Sequence, residues 1–169
     1  DINIESTVGK INWHNLQTIT NEVDEQYKKS RVTKGDILVI PTGFVIKIGF
    51  VDTDQPVNIT RTIVRISPDI TKCEPEYIHI YLNSPALQSW LASATSGISH
   101  RTLSSKTLKN TNIVLPPLPE QAEIVRQVTS SFDFANQIEQ QVATAHVRMN
   151  ELIQSILFEA FSGKLRSKP

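Results

Sequence analysis

Four histidines (His14, His79, His100 and His146), a single cysteine (Cys73) and a Pro116-Pro117 pair are the first residues to weigh for chemistry. The histidines are too scattered to offer a metal-ligand spacing, so no metal is expected. A lone cysteine excludes a disulfide framework and a thiolate cage, and Cys73 reads as a small hydrophobe of a reducing compartment. A base-modifying methyltransferase would show a glycine-rich cofactor loop and an Asn/Asp-Pro-Pro-aromatic tetrapeptide to hold a flipped base. Here Pro116-Pro117 lies between Leu115 and Leu118 and does not qualify. Ser162-Gly163-Lys164 resembles the end of a phosphate-binding lysine loop but lacks the earlier glycine and the preceding strand. It reads better as a helix C-terminus, with Gly163 as the left-handed cap and Lys164, Arg166 and Lys168 near the negative end of the helix dipole. A serine nucleophile would need an elbow or a placed base, and neither is visible. No catalytic residue and no cofactor are expected.

With catalysis set aside, binding is the remaining chemistry, and charge bounds it. The 17 basic and 17 acidic residues cancel. Locally they separate: the stretch 96–119 holds Arg101, Lys106 and Lys109 and no acid, while Glu22, Asp24 and Glu25 gather elsewhere. That stretch is either a basic patch or a solvated loop. So few local cations imply weak attraction to a polyanion by this chain alone. At 169 residues and 39% hydrophobic, the chain can fill one modest core and carry an appendage. No signal peptide and no bilayer-spanning apolar run are seen, so a cytosolic location and no membrane contact are expected. The chain opens on Asp1 rather than Met and is read as a fragment or as trimmed from a longer subunit.

The elements that must position these residues form two groups. Lys34-Gly35-Asp36 is a turn opening a strand over 37–40, which Pro41-Thr42-Gly43 closes. Residues 44–51 alternate as a second strand, 58–66 give a half-exposed third, and 112–115 give a last one. Tyr77, Ile80, Tyr81, Leu87, Trp90 and Leu91 space a helix over 76–93 that Pro85 can divide. Short strands around one helix make a small α+β domain. Leu115-Pro116-Pro117-Leu118-Pro119-Glu120-Gln121 then ends any sheet, because its prolines cannot donate to a ladder. Pro119 fits the first turn of a helix, and Glu120 faces that helix's positive end.

Beyond this hinge, Ile124, Val128, Ser131, Ala135, Ile138, Val142, Ala145, Met149, Leu152 and Ile156 alternate by four and three. That is a heptad seam with one polar member, and it expects a partner helix. The alternative is an ordinary amphipathic helix lying on its own domain. Helix over 120–156 would run roughly 55 Å at 1.5 Å per residue, more than a small domain's diameter. The stretch 129–136 has poor helix propensity, and its Phe132 and Phe134 are expected to pack back on the globular part.

The hinge, together with the ending Ser155-Ile156-Leu157-Phe158-Glu159-Ala160-Phe161-Ser162-Gly163-Lys164-Leu165, resembles the specificity subunit of Type I restriction-modification systems. The upstream region is similar to that subunit's target recognition domain, in Lys34-Gly35-Asp36-Ile37-Leu38-Val39, Thr42-Gly43 with Lys47-Ile48-Gly49, Asn58-Ile59-Thr60-Arg61 and Tyr77-Ile78-His79-Ile80-Tyr81-Leu82. The resemblance implies a target recognition domain over 1–118, N-terminally incomplete if the chain is a fragment. A spacer helix over 119–162 and a basic tail over 163–169 follow. It implies non-catalytic readout of double-stranded DNA as one half of a bipartite site, beside methyltransferase subunits and, in the full complex, a restriction subunit.

Readout would fall to loops that can match base edges. Three are candidates: Thr42 with Lys47; Asn58, Thr60 and Arg61; and Ser99, His100, Arg101, Ser104 and Lys106. The third is favoured for its glycine, hydroxyls and cations without acids. Each residue has a plain alternative: Arg61 pairing with Asp52 or Asp54, His100 capping a helix, Asn58 ending a strand. The seam would act as ruler and dock, pairing with a second copy or a second recognition half. Two other readings stay open: an interaction module dimerising through a coiled coil, and the specificity region of a single-chain restriction and methylation enzyme. The Pro-x-x-Pro pattern in the hinge, a possible groove ligand, ranks low because it is clamped between two elements.

Overall fold

The computed structural model describes residues 3–4, 9–14, 16–42, 46–95 and 102–162. The chain divides into two compact units, 1–125 and 126–169. The first, the head, is built on a three-stranded antiparallel sheet in the order β5-β4-β7, with β4 Ile37–Ile40, β5 Lys47–Phe50 and β7 Val64–Ile66. The central strand, Ile-Leu-Val-Ile, is apolar without alternation because both of its faces are covered. Ile37 and Val39 lie in a core with Ile46, Ile48, Cys73, Tyr77, Ile78, Leu82, Leu91 and Leu103. Leu38 points the other way, into a core with Ile4, Ile11, Val32 and Val51.

The first core is roofed by α2 Pro75–Leu82 and α3 Pro85–Ser93, so the expected helix over 76–93 is indeed two, each with proline in its first turn. Ser84 caps α3 by accepting from the Leu87 N–H. The second core is closed by two antiparallel pairs, β1 Asn3–Ile4 with β2 Ile11–Asn12, and β3 Arg31–Val32 with β6 Val57–Asn58. Gly49 faces this layer. A Cβ there would lie 2.6 Å from Ile11 Cγ1 and 3.0 Å from Ile4 Cδ1, so the β1–β2 pair can approach only a residue without a side chain.

The turn before β4 is fastened by Asp36, 4% exposed, which accepts from the Thr33 N–H at 2.8 Å and the Ser67 hydroxyl at 2.6 Å. Gly35 adopts φ +91° and donates its N–H to Val51 O.

Three expectations are corrected. Residues 58–66 are not one strand: the Ile63 N–H bonds to Thr60 O in a turn, so Val57–Asn58 and Val64–Ile66 belong to different sheets. Residues 112–115 join no ladder, and Val114 O instead accepts the Tyr77 hydroxyl at 2.8 Å. Phe132 and Phe134 are exposed rather than packed. α1 Asn21–Gln26, capped by Thr20, and α4 Ser105–Lys109, capped by Ser104, complete the head, together with the first turns of the long helix.

That helix, α5, runs Leu118–Phe161 over 44 residues. Ile124 and Val125 pack against the first core. From residue 129 to 162 every residue is exposed. Ser131, the polar member of the seam, returns its hydroxyl to Gln127 O at 2.9 Å, which satisfies it within the helix. The tail 163–169, with Gly163 as the expected cap, lies outside the described residues.

Candidate nucleic-acid interface

Antiparallel register brings the three candidate loops to one end of the sheet. Ile40 pairs with Lys47 and Val39 with Val64, so the exit of β4, the start of β5 and the start of β7 lie together. The third loop is drawn to the same end by a bridge between Thr42 and Thr102 and by the Leu103 N–H, which donates to Pro41 O at 2.8 Å. Leu103, 3% exposed, is the apolar anchor that holds this crossing in the core. Thr102 and Leu103 are residues that the sequence reading did not single out. A polar residue followed by an isolated leucine before a Ser cap was the available signal.

At this end Thr42, Thr60, Arg61, Ser104 and Lys106 are exposed and Lys47 and Asn58 half-buried. Arg61 pairs with neither Asp52 nor Asp54. Asp52 accepts the Trp13 indole N–H at 2.6 Å, and Asp54 lies 3.6 Å from Lys34. Among the described residues, no ion pair is formed by Lys47, Arg61, Lys106 or Lys109. The hydroxyls are more committed. Ser104 Oγ accepts the Thr107 N–H at 3.0 Å as the α4 cap, and Thr60 and Thr62 share a hydrogen bond of 2.8 Å between their hydroxyls. Asn58 is engaged as well: its amide donates to Asp24. Ser99, His100 and Arg101 lie outside the described residues.

The opposite end of the same sheet is acidic. Ile37 pairs with Phe50 and with Ile66, which gathers Asp36, Asp52, Asp54 and Asp69 there. By contrast, residues 37–51, 55–68 and 77–119, the segments that build the loop end, contain no Asp or Glu. Away from the loop end, Lys34 pairs with Asp54, Lys72 with Asp69 at 3.2 Å, and Arg31 with Asp24 at 2.6 Å and with Glu25. The Arg31 guanidinium, with burial opposing and Asn58 assisting, holds the Asp24 carboxyl below its usual range. These acids of α1 are thus neutralised locally.

A neutral chain therefore carries a polar sheet, with uncompensated lysine and arginine at one end and carboxylates at the other. An arrangement of this kind attracts phosphate at one end without needing net charge. No cluster of three His, Cys, Asp or Glu side chains that could hold a metal occurs among the described residues. Nor does any described helix have the length and apolarity to cross a membrane.

The helix presents a second surface. Ile138, Val142, Met149, Leu152 and Ile156 of the seam are each 45–61% exposed, and Ala135 and Ala145 are exposed beside them. Val128 is half-buried, and Ile124 belongs to the head core. Val147, Phe158 and Phe161, also exposed, fall on the far side of the helix from the seam at 3.6 residues per turn.

The sequence model of the Type I restriction modification DNA specificity domain matches residues 3–145. The specificity subunit of the Type I restriction enzyme EcoBI from Escherichia coli is 44% identical over 160 residues, covering 95% of this chain and 34% of that one. The EcoKI specificity subunit of Escherichia coli strain K12 is 34% identical over 151 residues, covering 86% and 32%. The chain thus spans about a third of the length of these curated relatives. Among solved structures, the HsdS subunit from Thermoanaerobacter tengcongensis superimposes with a TM-score of 0.67 at 25% identity, over 92% of this chain and 40% of that one.

Proposed function

This chain belongs to the family of Type I restriction modification DNA specificity domains, and on that premise we propose that it reads one half of a bipartite duplex site within a Type I restriction-modification complex. Its part is recognition, not catalysis. The observation that carries the reading is the loop end of the β5-β4-β7 sheet, whose own segments 37–51, 55–68 and 77–119 hold no Asp or Glu and where Lys47, Arg61 and Lys106 form no ion pair among the described residues, beside Thr42 and Thr60. Lysine and arginine there hold the phosphates, which sets register, while hydroxyls and the guanidinium fork face base edges. Residues 1–118 form the target recognition domain and 119–162 the spacer. Methyltransferase subunits dock on the helix and the restriction subunit joins the full assembly, in the cytoplasm.

The long seam, exposed from Ala135 to Ile156, supports pairing of this helix with a second one, from another copy or from a second recognition half. Val147, Phe158 and Phe161 leave a second apolar face for the methyltransferase subunits. A single-chain restriction and methylation enzyme would use the same fold, but the relatives are named as separate specificity subunits, which favours the subunit.

Titration of duplex DNA at low salt, with and without methyltransferase subunits, tests the reading. A salt slope of several ions supports it. Absence of binding in both conditions would leave a plain dimerising interaction module. Light scattering that gives a strict monomer at high micromolar concentration, with the helix folded, would overturn the paired seam.

A further inference from the structure

The turn that carries Arg61 lacks the support of a hairpin. Its two legs, β6 Val57–Asn58 and β7 Val64–Ile66, pair with different strands, so no ladder ties one leg to the other. Ile59 and Ile63 seat the turn on the second core, and the Ile63 N–H closes it on Thr60 O at 3.1 Å. What directs it is a set of bonds to the segment 24–31. The Ile59 N–H donates to Ser30 O at 3.0 Å, and Arg65, on the far leg, donates to Arg31 O. Arg31 and Asn58 are cross-strand neighbours, and one carboxylate serves both. Asp24 accepts from Arg31 Nη2 at 2.6 Å and from its Nε at 3.1 Å, and it also accepts from the Asn58 amide. Asn58 has little else to hold it. Its Oδ1 is buried and, among the described residues, has no hydrogen-bond partner, so a base edge cannot reach that oxygen and the amide is committed to Asp24. Arg31, opposed by burial and aided by Asn58, keeps the Asp24 carboxyl below its usual range, and an ionised acceptor makes the stronger hydrogen bond. Without Asp24 the Asn58 amide would be left wholly unsatisfied.

We propose that Asp24 is a positioning residue: by gripping Asn58 it sets the direction of the Thr60–Ile63 turn, and with it the place where the Arg61 guanidinium meets the duplex. Asn58 is then a strut rather than a reader of bases. The second half of the proposal rests on the reading of Arg61 as a DNA contact, whereas the grip itself does not. By charge alone, a carboxylate held three residues from Arg61 would weaken attraction to phosphate. Its bonds to Arg31 and Asn58 give it a purpose that charge does not.

The test is backbone relaxation by nuclear magnetic resonance on the full chain, without DNA. Order parameters at Thr60, Arg61 and Thr62 should be about 0.85 in the parent and below about 0.6 in Asn58→Ala, where the pair of Asp24 with Arg31 is untouched. Asp24→Ala should reach the same value, and the double variant should be no looser than either single one, because all three remove the same bond. Asn58→Asp, isosteric, sets two carboxylates face to face and should loosen the turn as well. Adding Asp24→Asn to it restores an amide facing a carboxylate and should recover most of the order. If Asp24→Ala does not fold, Asn58→Ala and the exchanged pair decide. Single variants as ordered as the parent, additive losses in the double variant, or an exchanged pair as loose as Asn58→Asp would overturn the proposal. In duplex titration, Arg61→Ala should weaken binding several-fold in the parent and hardly at all in the Asn58→Ala background, and an equal loss in both backgrounds also overturns it. A parent that binds no duplex refutes the DNA reading, and relaxation still decides the grip.

Discussion

Removing Lys47, Arg61 and Lys106 together, as alanines, should flatten the salt dependence of duplex binding by an amount that the geometry sets in advance. Each of the three forms no ion pair among the described residues at the loop end of the sheet, so each is counted as one phosphate contact. Counterion release gives a slope of about 0.9 per contact on logarithmic axes, hence about 2.7 for three. Between about 50 and about 200 mM salt, one contact is worth about 3.5-fold in affinity and three about 40-fold. The full chain should therefore lose about 40-fold more affinity across that range than the triple variant. Fluorescence anisotropy with a short duplex of mixed sequence reads this directly. A matched control replaces Lys28 and Lys72, which already pair with Glu25 at 3.8 Å and Asp69 at 3.2 Å, and should leave the slope nearly unchanged. The substitutions sit on exposed or half-buried positions, so melting should shift little. An unchanged slope in the triple variant, or an equal fall in the control, would refute the assignment of this end as the DNA face.

Three further outcomes follow from the packing. Gly49→Val should cost about 1–3 kcal/mol, since its side chain enters the space of Ile11 and Ile4, and thermal melting should show it. Asp36→Ala strands the Thr33 N–H and the Ser67 hydroxyl beneath β4, and denaturant titration should register a loss of about 3 kcal/mol. Burial holds the His79 imidazole below its ordinary 6.5, with the backbone of Ile48 and Gly9 opposing. The unfolded chain thus takes up the proton first as pH falls, so stability is complete above about pH 6.5 and declines below it. Melting followed between about pH 7 and pH 5, above the ordinary carboxylate range, should show that decline in the parent and a flatter profile in His79→Gln; parallel profiles would remove His79 from the account.

The parts of the fold that were legible in the sequence are those where one local rule decides. The proline run could end only in a loop and begin only a helix, and α5 starts within two residues of the position expected from it. Pro85 divided α2 from α3 for the same reason. β1, β2 and β3 were not legible, because they are two-residue strands in which no period can show itself. The run 58–66 misled because alternation looks the same whether a strand is continuous or broken. What breaks it is a turn at Thr60 and two different partners, Arg31 and Val39, which are distant in sequence.

The candidate interface shows the same division on a larger scale. Composition located the acid-free stretch 96–119 with its cations, since that is a property of a segment, but left Arg61 open to pairing with Asp52 or Asp54. Their convergence was not readable, because it depends on a register between β4, β5 and β7 and on a single bridge from Thr42 to Thr102. Gln121 is the sharpest case. In sequence it is one polar letter after the prolines. Only the packing shows that it meets Lys72, Glu74 and Pro116 at once. A fully buried amide has a clear energetic reason to stay where it is, because removing it strands three backbone groups instead of one. That asymmetry makes Gln121 a point at which substitution should cost stability.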